Sequence, residues 1–126
     1  MNTQRGDVVL IDYPYGAGGS TKVRPVLVIQ NYRDNQRLLN TIVAQITSVT
    51  RRALEPTQVL IELTTPEGQQ SGLRQDSVIN FVNLFTLDQG RILRKLGRLP
   101  DSLMQEVDIC LKIALQLSSA RGNNEY

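Results

Sequence analysis

The sequence predicts a mainly β domain of the α+β class: a small, strongly twisted antiparallel sheet or barrel with short helical insertions and a helix at its C-terminal end. Three observations carry that prediction. From residue 6 to residue 85 the chain alternates between short apolar runs rich in β-branched residues and polar stretches broken by Gly and Pro, the pattern of strands joined by turns. From residue 103 to residue 117 apolar residues recur instead at three- and four-residue spacing, which gathers them on one face of a helix. At 126 residues the chain is long enough to bury a real core and too short for two. One domain over residues 1–118 is expected, followed by a flexible tail at 119–126 with nothing able to bury itself.

The first strand is expected over residues 6–12, where four apolar residues lie between acidic ends, with Tyr13-Pro14-Tyr15 closing it. Residues 16–22 hold three glycines, too many for a regular element, and read as a flexible loop. It leads into a second strand over 24–31. A polar connection over 32–40 precedes a third strand over 41–47, whose Thr, Ile and Val suit a pleated surface and which should pair antiparallel with the second. Residues 48–56 form a loop with Arg51 and Arg52 at its tip, and 57–63 alternate well enough for a fourth strand. Pro66, Gly68 and Gly72 mark 64–72 as another loop. A long, bent fifth strand is expected from 73 to 85, then a short helix from Thr86 through Ile92 capped by Thr86 or Asp88, then a last strand over 93–99. The C-terminal helix opens at Pro100-Asp101-Ser102, capped by Asp101 or Ser102, and runs to about residue 118 with Leu103, Val107, Cys110, Leu111, Ala114 and Leu117 on its packed face.

Composition narrows the chemistry. A hydrophobic fraction of 40% and a charged fraction of 21% suit a folded globular chain and disfavour disordered, collagen-like and coiled-coil classes. No apolar run approaches the roughly 20 residues of a membrane span, and residues 1–7 lack the apolar region of a signal peptide, so a cytoplasmic protein without a membrane partner is expected. The net charge is only +2, but eleven of the fourteen cations are arginine, the side chain suited to bidentate phosphate contacts and to stacking on bases. There is no histidine, so the commonest acid/base residue and the commonest metal ligand are both missing. The single cysteine, Cys110, falls within the apolar helical pattern and reads as a small core residue.

One stretch stands out: Lys22-Val23-Arg24-Pro25-Val26-Leu27-Val28-Ile29-Gln30-Asn31, a glycine-rich approach, one arginine, a proline and an unbroken apolar run. Pro25 fixes its own φ near −65° and biases Arg24 toward extended backbone, so the arginine leaves the loop in a defined direction. The preceding glycines allow a backbone to approach a ligand closely, but the loop lacks the Gly-Lys-Ser/Thr ending of an NTP-binding P-loop. Read from the residues alone, Arg24 is a salt-bridging residue at a strand start and Thr47 an ordinary β-former.

Three blocks in order, Arg5-Gly6-Asp7-Val8-Val9-Leu10-Ile11-Asp12, then Val23-Arg24-Pro25-Val26-Leu27-Val28-Ile29-Gln30-Asn31, then Ile42-Val43-Ala44-Gln45-Ile46-Thr47, resemble the MazF/PemK-like (Kid-like) toxins. The likeness continues through Arg74-Gln75-Asp76-Ser77-Val78-Ile79 and into Met104-Gln105-Glu106-Val107-Asp108 of the last helix. Each block is weak alone; their order and span from Arg5 to about Leu117 make the resemblance specific. It implies an SH3-like barrel with a C-terminal helix, a homodimer, and a sequence-selective endoribonuclease of a type II toxin–antitoxin pair. That enzyme would cleave single-stranded mRNA through 2′-hydroxyl attack without metal or other cofactor and be neutralised by a cognate antitoxin. The family's catalytic pair, an arginine before the proline and a threonine ending the third strand, matches Arg24 and Thr47.

Cleaving RNA by its own 2′-hydroxyl requires a proton taken from that hydroxyl, charge stabilised on the phosphorus, and a proton given to the departing 5′-oxygen. Arg24 supplies the second through fixed donors toward two phosphate oxygens. Thr47 adds a hydroxyl. Neither is a natural base, since threonine does not ionise and arginine keeps its proton, so the residues leave the base open. Many family members carry Gly-Ser-Glu ahead of the arginine; this chain has Gly18-Gly19-Ser20-Thr21 and one residue fewer, so the loop glutamate is missing and Ser20 stands in for the serine. Substrate contacts are expected from Gly18, Ser20 and Ser48 at the loops, from Ser77 and Asn83 on the long strand, and from Tyr15, beside the loop and able to stack on a base. Two alternatives share the barrel: a gyrase-poisoning toxin that binds a protein and cuts nothing, which has no need of Arg24 with Thr47, and a degenerate module that only binds RNA or protein.

Overall fold

The computed structural model describes residues 2–14, 21–51, 53 and 55–118. Among the described residues six strands form one antiparallel sheet: β1 (Asp7–Pro14), β2 (Thr21–Val28), β3 (Asn40–Thr47), β4 (Gln58–Ile61), β5 (Ser77–Asp88) and β6 (Ile92–Arg98), in the spatial order β4-β5-β3-β2-β1-β6. Three helices interrupt or end it: α1 (Tyr32–Arg37), α2 (Pro66–Gln70) and α3 (Asp101–Leu115). The mainly β, α+β class read from the sequence is the one observed.

Alternation along the strands divides the buried residues between two clusters. Val8, Leu27, Ala44, Ile46, Ile79 and Phe81 join Leu103, Val107 and Cys110 of α3 in the main core. Val9, Ile11, Tyr13, Val26, Val28, Val43 and Leu87 form the second on the other face. β5 serves both because it bends: Gln45 pairs with Asn80 but its neighbour Ala44 with Leu84, so residues 81–83 bulge out of the ladder. The Asn80 side chain accepts a hydrogen bond from the Val82 N–H at 3.0 Å inside the bulge. This is the bend expected of the fifth strand, set four residues into β5.

The β6 edge of the sheet packs backbone to backbone on the segment that leads into β5. A Cβ on Gly97 of β6 would collide with the Gln70 and Ser71 backbone, and one on Gly72, whose φ is +74°, with the Leu96 carbonyl. Only glycine permits that approach, which closes the seam between β6 and the segment ahead of β5. Beneath it the Asp7 carboxylate, 2% exposed, is held by Lys95 at 3.1 Å and Arg98 at 3.0 Å and accepts from the Gln4 N–H at 2.9 Å. A buried charge is tolerable when so paired.

The structure departs from the sequence-based expectations at several element ends. β2 starts at Thr21, so Arg24 lies within a strand, opposite Ile11. The connection over 32–40 contains α1, whose cap Asn31 accepts from the Asp34 N–H. The loop over 64–72 contains α2, capped by Thr65 with Pro66 in its first turn. The expected helix from Thr86 shrinks to a single 3₁₀ turn, Gln89–Arg91, because β5 continues to Asp88; Asp88 caps it as foreseen, accepting from the Gly90 N–H. α3 begins after Pro100 with no side-chain cap, in place of the caps expected from Asp101 or Ser102. It ends at Leu115, where Gln116 turns left-handed (φ 56°) and the Leu117 N–H reaches back to the Lys112 carbonyl, a common way to close a helix. Tyr15, Gly18, Ser20, Arg52 and the expected tail at 119–126 lie outside the described residues. Among the described residues no helix is long and apolar enough to cross a membrane.

Candidate active site

Pro25 decides where the site opens. It has no N–H to give to a ladder, and the register between β2 and β3, Val28 with Val43, Leu27 with Ala44 and Val26 with Gln45, stops one residue short of it. β1 goes on pairing with β2, placing Leu10 opposite Pro25. Beyond Val26 the β2–β3 ladder therefore ends. Continuing its register by two residues brings Arg24 opposite Thr47, on the face that carries Val26 and Gln45.

Arg24 and Thr47 line one open cavity of about 750 Å³. Its lining runs once round the barrel, from the end of β3 across β2, β1 and β6 to the segment that enters β5. The floor is apolar: Leu10, Pro25, Ile46, Leu73 and Leu96, of which Ile46 belongs to the main core while Leu73 and Leu96 pack against it. The rim is cationic. Arg24 of β2, Arg74 ahead of β5 and Arg94 of β6 are all exposed, and none makes an ion pair among the described residues. Among the described residues no Asp or Glu lines the cavity. A cleft of one sign of charge over an apolar floor concentrates anions.

Thr47 is half-buried, and its hydroxyl oxygen accepts a hydrogen bond from the Val49 N–H at 3.1 Å. The bond fixes the side chain and leaves the hydroxyl hydrogen free to donate. Of the other residues expected to contact substrate, Ser48 lines the cavity and is exposed. Ser77 also lines it, but the residue is 4% exposed and its hydroxyl donates to the Gln75 carbonyl at 2.9 Å, holding the turn that follows Arg74. Asn83 sits in the β5 bulge and is not part of this lining; its amide donates to the Tyr13 hydroxyl at 3.3 Å. Tyr13 does line the cavity, its ring edge-on to Phe85 with centroids 5.1 Å apart.

Sequence reasoning named Tyr15 and passed over Tyr13, Gln45, Arg74 and Arg94. Two of these carried a local signal, since Gln45 and Arg74 fall within motif blocks. Arg94 had none: it reaches the cavity only because β6 returns to pair with β1, opposite Leu10. Cys110 lies on α3, outside this cavity, its thiol donating to the Gln58 carbonyl at 3.7 Å. Burial pushes that thiol up, with the Glu106 carboxylate adding to it, so it stays protonated and inert. Among the described residues no group of three or more Cys, Asp or Glu is placed to hold a metal ion.

Known proteins resemble this chain in sequence and in fold. Residues 4–115 match the model of the PemK-like, MazF-like toxin of type II toxin–antitoxin system. Endoribonuclease EndoA of Bacillus subtilis is 38% identical over 118 residues, covering 93% of this chain and 97% of the relative. A mycobacterial structure described as an endoribonuclease in complex with its cognate antitoxin superposes with a TM-score of 0.75 at 23% identity, covering 93% of this chain and 98% of that one. A MazE–MazF structure from Deinococcus radiodurans superposes with a TM-score of 0.74 at 21% identity, covering 94% and 100%. At those identities the two structures speak for the fold. The family match, which spans residues 4–115, goes further: this chain belongs to the PemK-like, MazF-like toxins of type II toxin–antitoxin systems.

Proposed function

We infer that this toxin is a cytoplasmic endoribonuclease that cuts single-stranded RNA at selected sequences without a metal, works as a homodimer and is silenced by a cognate antitoxin. The observation that supports the reading is that Arg24 and Thr47 line one cavity with two further arginines and, among the described residues, no carboxylate. A phosphodiester entering there meets fixed guanidinium donors on its non-bridging oxygens, which hold the charge that grows on phosphorus. Thr47, held by the Val49 N–H, donates to the same phosphate or orients the attacking 2′-hydroxyl. That hydroxyl loses its proton as its oxygen bonds to phosphorus, the bond to the 5′-oxygen breaks, and the departing oxygen takes up a proton. The products carry a cyclic 2′,3′-phosphate on one side and a 5′-hydroxyl on the other. With no histidine in the chain, the rate comes chiefly from positioning and electrostatics.

The test is to incubate the purified protein with a long RNA in the presence of a chelator and map the cut ends. Wild type should give 5′-hydroxyl fragments. Arg24→Ala and Thr47→Ala should each lower kcat, the arginine variant by about 100- to 1,000-fold, the range for losing one preorganised donor to an oxyanion. Undiminished cleavage by Arg24→Ala would overturn the catalytic assignment. An intact RNA together with inhibited gyrase supercoiling would move the protein to the protein-binding alternative.

A further inference from the structure

We propose that Arg94 is a substrate-binding residue of this toxin: it grips a phosphate of the bound strand next to the scissile one, from the far wall of the cavity. The inference rests on the endoribonuclease reading for which phosphate is cut, but not for the contact itself. β6 carries three cations, Arg94, Lys95 and Arg98, and the structure gives them different work. Lys95 and Arg98 both bind the buried Asp7 carboxylate. Arg94 does not: alternation along the strand turns it with Leu96 toward the cavity, the opposite way from Lys95.

Position decides which phosphate it meets. Arg94 lies opposite Leu10, and Leu10 opposite Pro25, so β1 stands between Arg94 and the strand that carries Arg24. Arg24 pairs with Ile11, the neighbour of Leu10, so the two arginines leave alternate positions of their strands and both reach the cavity at its edge, with two strand spacings, about 10 Å, between β2 and β6. Arg24 and Thr47 approach the cavity from β2 and β3, whereas Arg94 approaches it from β6, two strands further round the rim. A strand laid over the apolar floor with its scissile phosphate at Arg24 thus brings a neighbouring phosphate to Arg94. The side chain is exposed and makes no ion pair among the described residues, so its guanidinium is available for a two-pronged contact without first breaking another. A phosphate contact of this kind positions the strand and adds affinity at every sequence.

The experiment measures binding of a short single-stranded 2′-O-methyl RNA, which keeps the phosphates and lacks the nucleophile, to wild type, Arg94→Gln and Arg94→Lys over a range of salt concentrations. For one lost phosphate contact on a single strand, Arg94→Gln should flatten the slope of log affinity against log salt by about 0.7. Binding at low salt should weaken about tenfold, the worth of one charged hydrogen bond. Arg94→Lys should keep the slope, and thermal stability should be unchanged in both variants. On cleavable RNA, Arg94→Gln should raise KM and spare kcat, opposite to Arg24→Ala. An unchanged slope in Arg94→Gln, or an oligonucleotide that wild type does not bind, overturns the proposal. Binding with the predicted slopes but no cleavage of any RNA by wild type would instead overturn the reaction and leave the Arg94 contact standing.

Discussion

In the first turn of α1 the Asp34 carboxylate accepts hydrogen bonds from the Asn31 side chain at 3.0 Å and the Arg37 guanidinium at 2.8 Å. The Asn31 bond, then Arg37, hold its carboxyl below the usual carboxylate value. A group depressed in this way stabilises the fold above its unfolded value and stops doing so as pH falls through its folded value. Asp34→Asn should therefore lower Tm at neutral pH and converge with wild type in acid, once both side chains are uncharged; a gap that persists in acid would contradict this. At this scale legibility followed locality. Arg24 and Thr47 sit on consecutive strands in motif blocks, and both line the cavity. Tyr13 was read as closing the first strand, and only the continuation of β1 to Pro14 turns it into cavity wall. Arg94 was out of reach because its place depends on a pairing between the first strand and the last.

Among the elements, the strands were legible because short apolar runs rich in β-branched residues stand between polar, Gly- and Pro-marked turns. The two short helices were not. α1 is six residues and α2 five, too few to display a 3.6-residue period, and their composition is polar. What announced them was capping chemistry, Asn31 ahead of Asp34 and Thr65-Pro66 ahead of Gly68, which reads as turn until the backbone is seen. The seam of the sheet was equally invisible, since Gly72 and Gly97 look like loop and strand punctuation. With the Ser71 backbone fixed by a buried hydroxyl that donates to the Gly68 carbonyl, the contact has little room to give. Gly97→Ala should cost about 1–3 kcal/mol, the range for overpacking, measured as a lower denaturant midpoint at unchanged slope. Wild-type stability in that variant would mean that β6 shifts away from residues 70–72 at no cost.

For the whole molecule, the class and the order of strands along the chain were legible in local pattern, while the cavity is a product of closure. Its lining is drawn from β1, β2, β3, β6 and the approach to β5, so no window of sequence contains it, and the three rim arginines come from segments that touch only when the barrel is complete. The bulge at residues 81–83 reaches further still. Because one continuous strand supplies Ile79 and Phe81 to one apolar cluster and Leu87 to the other, neither cluster can come apart without dragging that strand out of its neighbour. The two should melt as a single cooperative unit, in one calorimetric transition whose enthalpy equals the van't Hoff value. Phe81→Ala and Val43→Ala, placed in different clusters, should each move that one transition downward, the first by about 3–5 kcal/mol, and a second peak in either variant would show that the clusters are separable.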